Sequence, residues 1–95
     1  MQQPEQDFFK RADAHIYLAN EQLTNANKGE VSASMLYGAA RFNAWVSAGE
    51  FDTPAAMQAA KEKTIAVFLA EYEKMLSEHL DDYIEHFHEY VKPEE

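Results

Sequence analysis

Residues 53–91 read TPAAMQAAKEKTIAVFLAEYEKMLSEHLDDYIEHFHEYV, and this stretch decides the fold. Thr53 is placed to cap a helix, and Pro54 fits the first helical position, where its missing N–H costs no hydrogen bond. From there Ile65, Phe68, Leu69, Tyr72, Leu76, Leu80, Tyr83, Phe87 and Tyr90 recur at helical spacing. As one helix the stretch would be about 57 Å long at 1.5 Å per residue. A compact domain of 95 residues has a radius of gyration of only about 12 Å. Either the chain breaks near Ser77–Asp82 to give a fourth helix, or a long helix buries its aromatic end against another subunit. Asp82-Tyr-Ile-Glu85 has the form of a capping box, which favours the break.

Upstream the pattern is helical again. Phe9, Ala12, Ile16, Ala19, Leu23 and Ala26 step by three and four, so a first helix is expected from Pro4 or Asp7 to about Ala26. Glu5 and Asp7 stand in its first turn, where negative charge complements the helix dipole. Gly29 is suited to end it in the left-handed conformation. A second helix is expected from a Ser32 cap to about Ala48, with Val31, Met35, Ala39, Phe42 and Val46 on one face and Leu36, Ala40 and Trp45 widening it. Gly38 inside that helix costs around 1 kcal/mol relative to Ala, and close approach of a neighbouring backbone is the expected reason for it. Phe8, Phe9, Phe42, Trp45 and Phe68 are the expected core. Fifteen alanines, against ten β-branched residues and no alternating stretch, exclude a sheet. The chain reads as one all-α domain, 1–95: a helical bundle of three long helices whose C-terminal segment is a continuation or a fourth helix. Its core spans about residues 7–91, with 1–6 and 92–95 frayed.

Composition narrows the function. The chain has no Cys, which removes disulfides, thiolate nucleophiles and thiolate metal sites together. Seventeen acidic residues against eight basic ones give a net charge of −9, which argues against nucleic acid and against an anionic membrane surface as partners. The N-terminus has no signal-peptide pattern and no window reaches the roughly 20 apolar residues of a membrane span, so a cytoplasmic protein is expected. There is no Gly-rich phosphate loop, no His-Glu-x-x-His and no Gly-x-Ser-x-Gly, so an enzyme is the less favoured reading.

Three constellations remain. Asp13, Asn20, Arg41 and Asn43 would approach one another if the first two helices form an antiparallel hairpin. An interhelical polar set that fixes register is the first reading, and a small-anion site centred on Arg41 is the second. Next, residues 71–95 hold nine acids and two lysines, −7 of the total −9. Within them His79, Asp82, His86 and Glu89 step by 3, 4, 3 and share one helical face, offering imidazole and carboxylate ligands to a divalent metal. A solvated polar face is the competing explanation, and no cofactor is predicted outright. Last, Leu80, Tyr83, Phe87 and Tyr90 form an apolar stripe on an otherwise charged helix, which needs a protein cover, from a partner or from a second copy.

Three segments carry a resemblance: residues 11–22 (RADAHIYLANEQ), 29–44 (GEVSASMLYGAARFNA) and 71–85 (EYEKMLSEHLDDYIE). Together they resemble the small bacterial family called domain of unknown function 3144, over about Phe8 to Phe87. The middle segment, with its Val-Ser-Ala-Ser and Ala-Ala-Arg-Phe-Asn, is the most specific. Gly38 departs from the Ala of the family pattern, which touches only packing. The resemblance implies a short, stand-alone helical protein with no established activity. The leading functional reading is therefore a non-enzymatic interaction or structural module using the 80–91 stripe. The alternative is a metal- or small-anion-binding module using the His79 face or Arg41.

Overall fold

The structure is a computed structural model and describes residues 4–91. It is all-α: α1 (Pro4–Gln22), α2 (Lys28–Ala48), α3 (Pro54–Glu85) and a single-turn α4 (Phe87–Tyr90), with no strand among the described residues. The expectation of fraying falls outside the described residues at 1–3 and 92–95, while residues 4–6 are already helical. The chain divides into two units, Met1–Val46 and Ser47–Glu95.

In the first unit, α1 starts at Pro4, with Glu5 and Asp7 in its first turn as the charge pattern requires. It ends at Gln22, four residues before Ala26. The Leu23 N–H is shared between the carbonyls of Ala19 and Asn20, both at 3.2 Å, and the Thr24 hydroxyl donates to the Glu21 carbonyl at 2.8 Å. These bonds tighten the last turn and take up carbonyls that a longer helix would have used.

α2 corrects a second expectation. Its cap is Asn27, not Ser32: Asn27 Oδ1 accepts the Glu30 N–H at 2.8 Å, while Glu30 Oε1 accepts the Asn27 N–H at 3.0 Å. That reciprocal pair is a complete capping box, satisfying two backbone donors at once, whereas a cap at Ser32 satisfies fewer. Gly29 accordingly lies inside α2, and no glycine among the described residues has positive φ. A Cβ built on Gly38 meets nothing within 4 Å, so the close backbone approach expected there is absent.

In the second unit the expected start is found. Thr53 is extended (φ −140°, ψ 154°), its hydroxyl oxygen accepts the Ala56 N–H at 3.1 Å, and Pro54 opens α3. The helix then runs 32 residues, about 48 Å, straight through Ser77–Asp82. No capping box forms at Asp82. Its carbonyl instead accepts the His86 N–H at 3.0 Å, and the helix stops there.

Val31 is the one buried hydrophobic side chain among the described residues, and α3 and α4 bury none. Phe8, Phe9, Phe42, Trp45 and Phe68 all remain substantially exposed, Trp45 at 71%. Their ring contacts are local: Phe8 meets Phe9 edge-on at 5.2 Å, and Phe42 tilts against Trp45 at 5.6 Å. Helical periodicity aligns apolar side chains on a face, but it does not supply the surface that covers them. The elements are those of the sequence reading, three long helices and a short fourth, with the boundaries corrected above.

Candidate functional site

The chemistry gathers where α3 ends. His86 leaves helical geometry (φ −113°, ψ 32°) without any proline or glycine to force it. Its Nδ1 lies 3.1 Å from both the carbonyl oxygen and Oδ1 of Asp82. Both of those atoms are acceptors, so the contact is a hydrogen bond with Nδ1 as the donor. The Asp82 carbonyl thus receives both the ring and the backbone N–H of His86, at 3.1 and 3.0 Å, at the end of α3. Glu85 Oε2 stands 3.8 Å from the same Nδ1, a second carboxylate beside the ring.

One turn on, the aromatic residues lock α4 against the end of α3. The His86 ring stacks on Tyr90 at 5.2 Å, and Tyr90 meets Tyr83 edge-on at 5.1 Å. The His86 carbonyl accepts the Glu89 and Tyr90 N–H groups, each at 3.0 Å. Loss of hydration comes first, then the negative charge of Asp82 and Glu89, in holding the Tyr90 hydroxyl above the ordinary tyrosine range. His88 is turned to Phe87, with the rings perpendicular at 5.6 Å.

Of the four residues read as a metal face, the structure gathers two. Asp82 and His86 join with Glu85, their potential ligand atoms all within 4.8 Å of one another. His79 and Glu89 belong to no such group among the described residues. Glu85 is not among the four, although it follows Asp82 by three residues, because the 3, 4, 3 series steps from Asp82 to His86. The end of α3 is where Glu85 and His86 come together. The apolar stripe is intact and uncovered: Leu80, Tyr83, Phe87 and Tyr90 are each between 41% and 52% exposed. No hydrogen bond or ion pair joins Asp13, Asn20, Arg41 and Asn43 among the described residues; Asn43 is half-buried and the other three are exposed.

Comparison with known proteins places the chain. The model of a protein family of unknown function, DUF3144, matches residues 8–84, most of the chain and all of α2. The chain belongs to this family. The DUF3144 match ends inside the last turn of α3, so Glu85, His86 and α4 follow just beyond it. The NMR structure of protein NB7890A from Shewanella sp is similar to this DUF3144 chain, at 39% identity and a TM-score of 0.78. The similarity covers 93% of this chain and 94% of that one. No match was found among curated proteins. No helix of the described residues is long and apolar enough to cross a membrane.

Proposed function

We propose that this DUF3144 protein is a non-enzymatic interaction module whose apolar α3–α4 face is completed by a protein surface. One observation carries the reading: a 32-residue helix buries none of its side chains, yet lines up large apolar residues along one face. An isolated helix gains too little from its own hydrogen bonds to be stable in water, and most helical stability comes from packing such a face. The flanking charge narrows the cover. Residues 71–95 carry −7, which repels nucleic acid and anionic lipid and leaves protein.

Light scattering, binding of an apolar dye and chemical denaturation test this on the full chain and on Leu80→Glu/Phe87→Glu. The wild type is expected to show either an assembled species or dye binding, lost in the double variant. A wild-type monomer that binds no dye, and whose stability the two charges leave unchanged, overturns the reading.

A second reading rests on the Asp82–Glu85–His86 cluster, whose donor set suits a divalent cation. A cation taken at Nδ1 would displace the proton shared with Asp82, so uptake should release a proton. Calorimetric titration with zinc and manganese after chelator treatment decides it. Heat that disappears in His86→Ala supports the site, and no heat above buffer removes it.

A further inference from the structure

The stripe does more than ask for a protein cover; its period, area and charge specify one. We infer that α3 pairs antiparallel with α3 of a second copy of this chain, about a two-fold axis near Tyr72; this rests on the interaction reading above.

The period comes first. Within α3, Leu69, Tyr72, Leu76, Leu80 and Tyr83 take four steps over 14 residues, a mean of 3.5. That is the period at which two helices keep one seam facing each other, 0.1 residue per turn short of a straight helix. A flat or irregular partner surface imposes no such period.

Area comes next. On α3, Ile65, Phe68, Leu69, Tyr72, Met75, Leu76, Leu80 and Tyr83 are 38% to 62% exposed. With ~200 Å² for a large side chain, half-exposed residues of this number leave on the order of 800 Å² per chain. Stable protein interfaces bury roughly 800 Å² per partner. One helix face of this chain therefore carries the area that a dimer requires.

Charge fixes the direction. Residues 54–70 hold Lys61, Glu62 and Lys63, a net +1, whereas residues 71–91 hold seven acids and Lys74, a net −6. Parallel pairing sets −6 beside −6 over those 21 residues. Antiparallel pairing about Tyr72 brings Lys61 and Lys63 alongside Asp81, Asp82 and Glu85 of the other copy, and turns the repulsion into attraction at both ends. A two-fold axis produces both ends at once, since each contact is made twice. Within this register Phe68 meets Leu76 and Ile65 meets the turn of His79 and Leu80, so apolar faces apolar through the middle of the seam.

The absence of cysteine makes the test direct, because every introduced thiol is the only one in its chain. Light scattering of the wild type should give twice the 10.9 kDa chain mass. Under mild oxidation Tyr72→Cys should form a disulfide-linked dimer at least tenfold faster than Phe87→Cys. A mixture of Ile65→Cys and His79→Cys should give the mixed dimer in excess over either self-pair. Equal cross-linking of Cys at 72 and 87 means parallel pairing and overturns the arrangement. If the cysteine variants fail to fold, Lys61→Glu/Lys63→Glu remains: it should weaken the dimer at least tenfold at low salt, an effect erased at 1 M salt. A wild-type monomer whose α3 amides exchange freely and which binds apolar dye refutes the second copy while leaving a different protein partner. A monomer whose α3 is protected and dye-silent refutes both.

Discussion

Replacing Gly38 by Ala tests whether anything lies against the middle of α2. Glycine in a helix interior is less favourable than alanine by about 1 kcal/mol, because the unfolded chain gives up more backbone freedom to adopt helix. Where the native conformation accepts a Cβ without strain, the measured gain is about 0.4–1 kcal/mol. Gly38 is helical, its φ is not positive, and its Cβ would find open space to 4 Å. No steric cost offsets the gain, and no new burial adds to it. The expected outcome for Gly38→Ala is a stabilisation of about 0.4–1 kcal/mol, which moves the melting midpoint of a domain this size up by roughly 2–8 °C. Circular dichroism at the helical band, on heating and in urea, reads both, with an unchanged urea slope showing that only stability moved. A loss of about 1 kcal/mol or more would refute the reasoning, because it would put another backbone against Gly38. That close approach is what the sequence alone suggests.

Three further outcomes follow from the same structure. Asn27→Ala should cost about 1 kcal/mol by removing the side-chain oxygen that accepts the Glu30 N–H, while Ser32→Ala, inside α2, should stay within about 0.5 kcal/mol; equal effects in urea denaturation would return the cap to Ser32. Thr53→Ala should likewise destabilise α3 by roughly 0.5–2 kcal/mol, and Thr53→Ser should restore most of it, since either hydroxyl can accept the Ala56 N–H. Because the Tyr90 hydroxyl is raised above its usual value of 10.0, the folded chain favours its neutral form, and that contribution is present below the unfolded value and fades as pH rises through the folded one. Ultraviolet titration should show a late tyrosinate component that Tyr90→Phe removes, and if the component removed titrates together with the other four tyrosines the environment of Tyr90 is ordinary.

The helices were legible wherever their cause sits within one turn. Thr53 and Pro54 mark the start of α3 because a hydroxyl and a missing N–H act on amides three residues away. The acidic first turn of α1 is legible for the same reason. Misreadings arose where two local solutions compete. Asn27 and Ser32 are both acceptable caps, and the reciprocal bond to Glu30 decides between them. At the other end, Asp82-Tyr-Ile-Glu85 suggested a helix start, but α3 continues through it and ends at Glu85. Glu85 follows Asp82 by three residues, so its place beside that carboxylate was legible in the spacing.

Sequence by itself determined that this chain is all-α, acidic, free of thiol chemistry and striped with apolar residues along its last long helix. Each of these follows from residue type or from spacing within a few turns. Only the tertiary structure decided that α3 runs unbroken past Asp82, that Asp82, Glu85 and His86 gather at its end, and that the stripe lies open. The physical reason is that a helix organises its own backbone through bonds four residues apart, while the cover for its apolar face comes from elsewhere. Periodicity records which side chains share a face, and it leaves unwritten what that face meets.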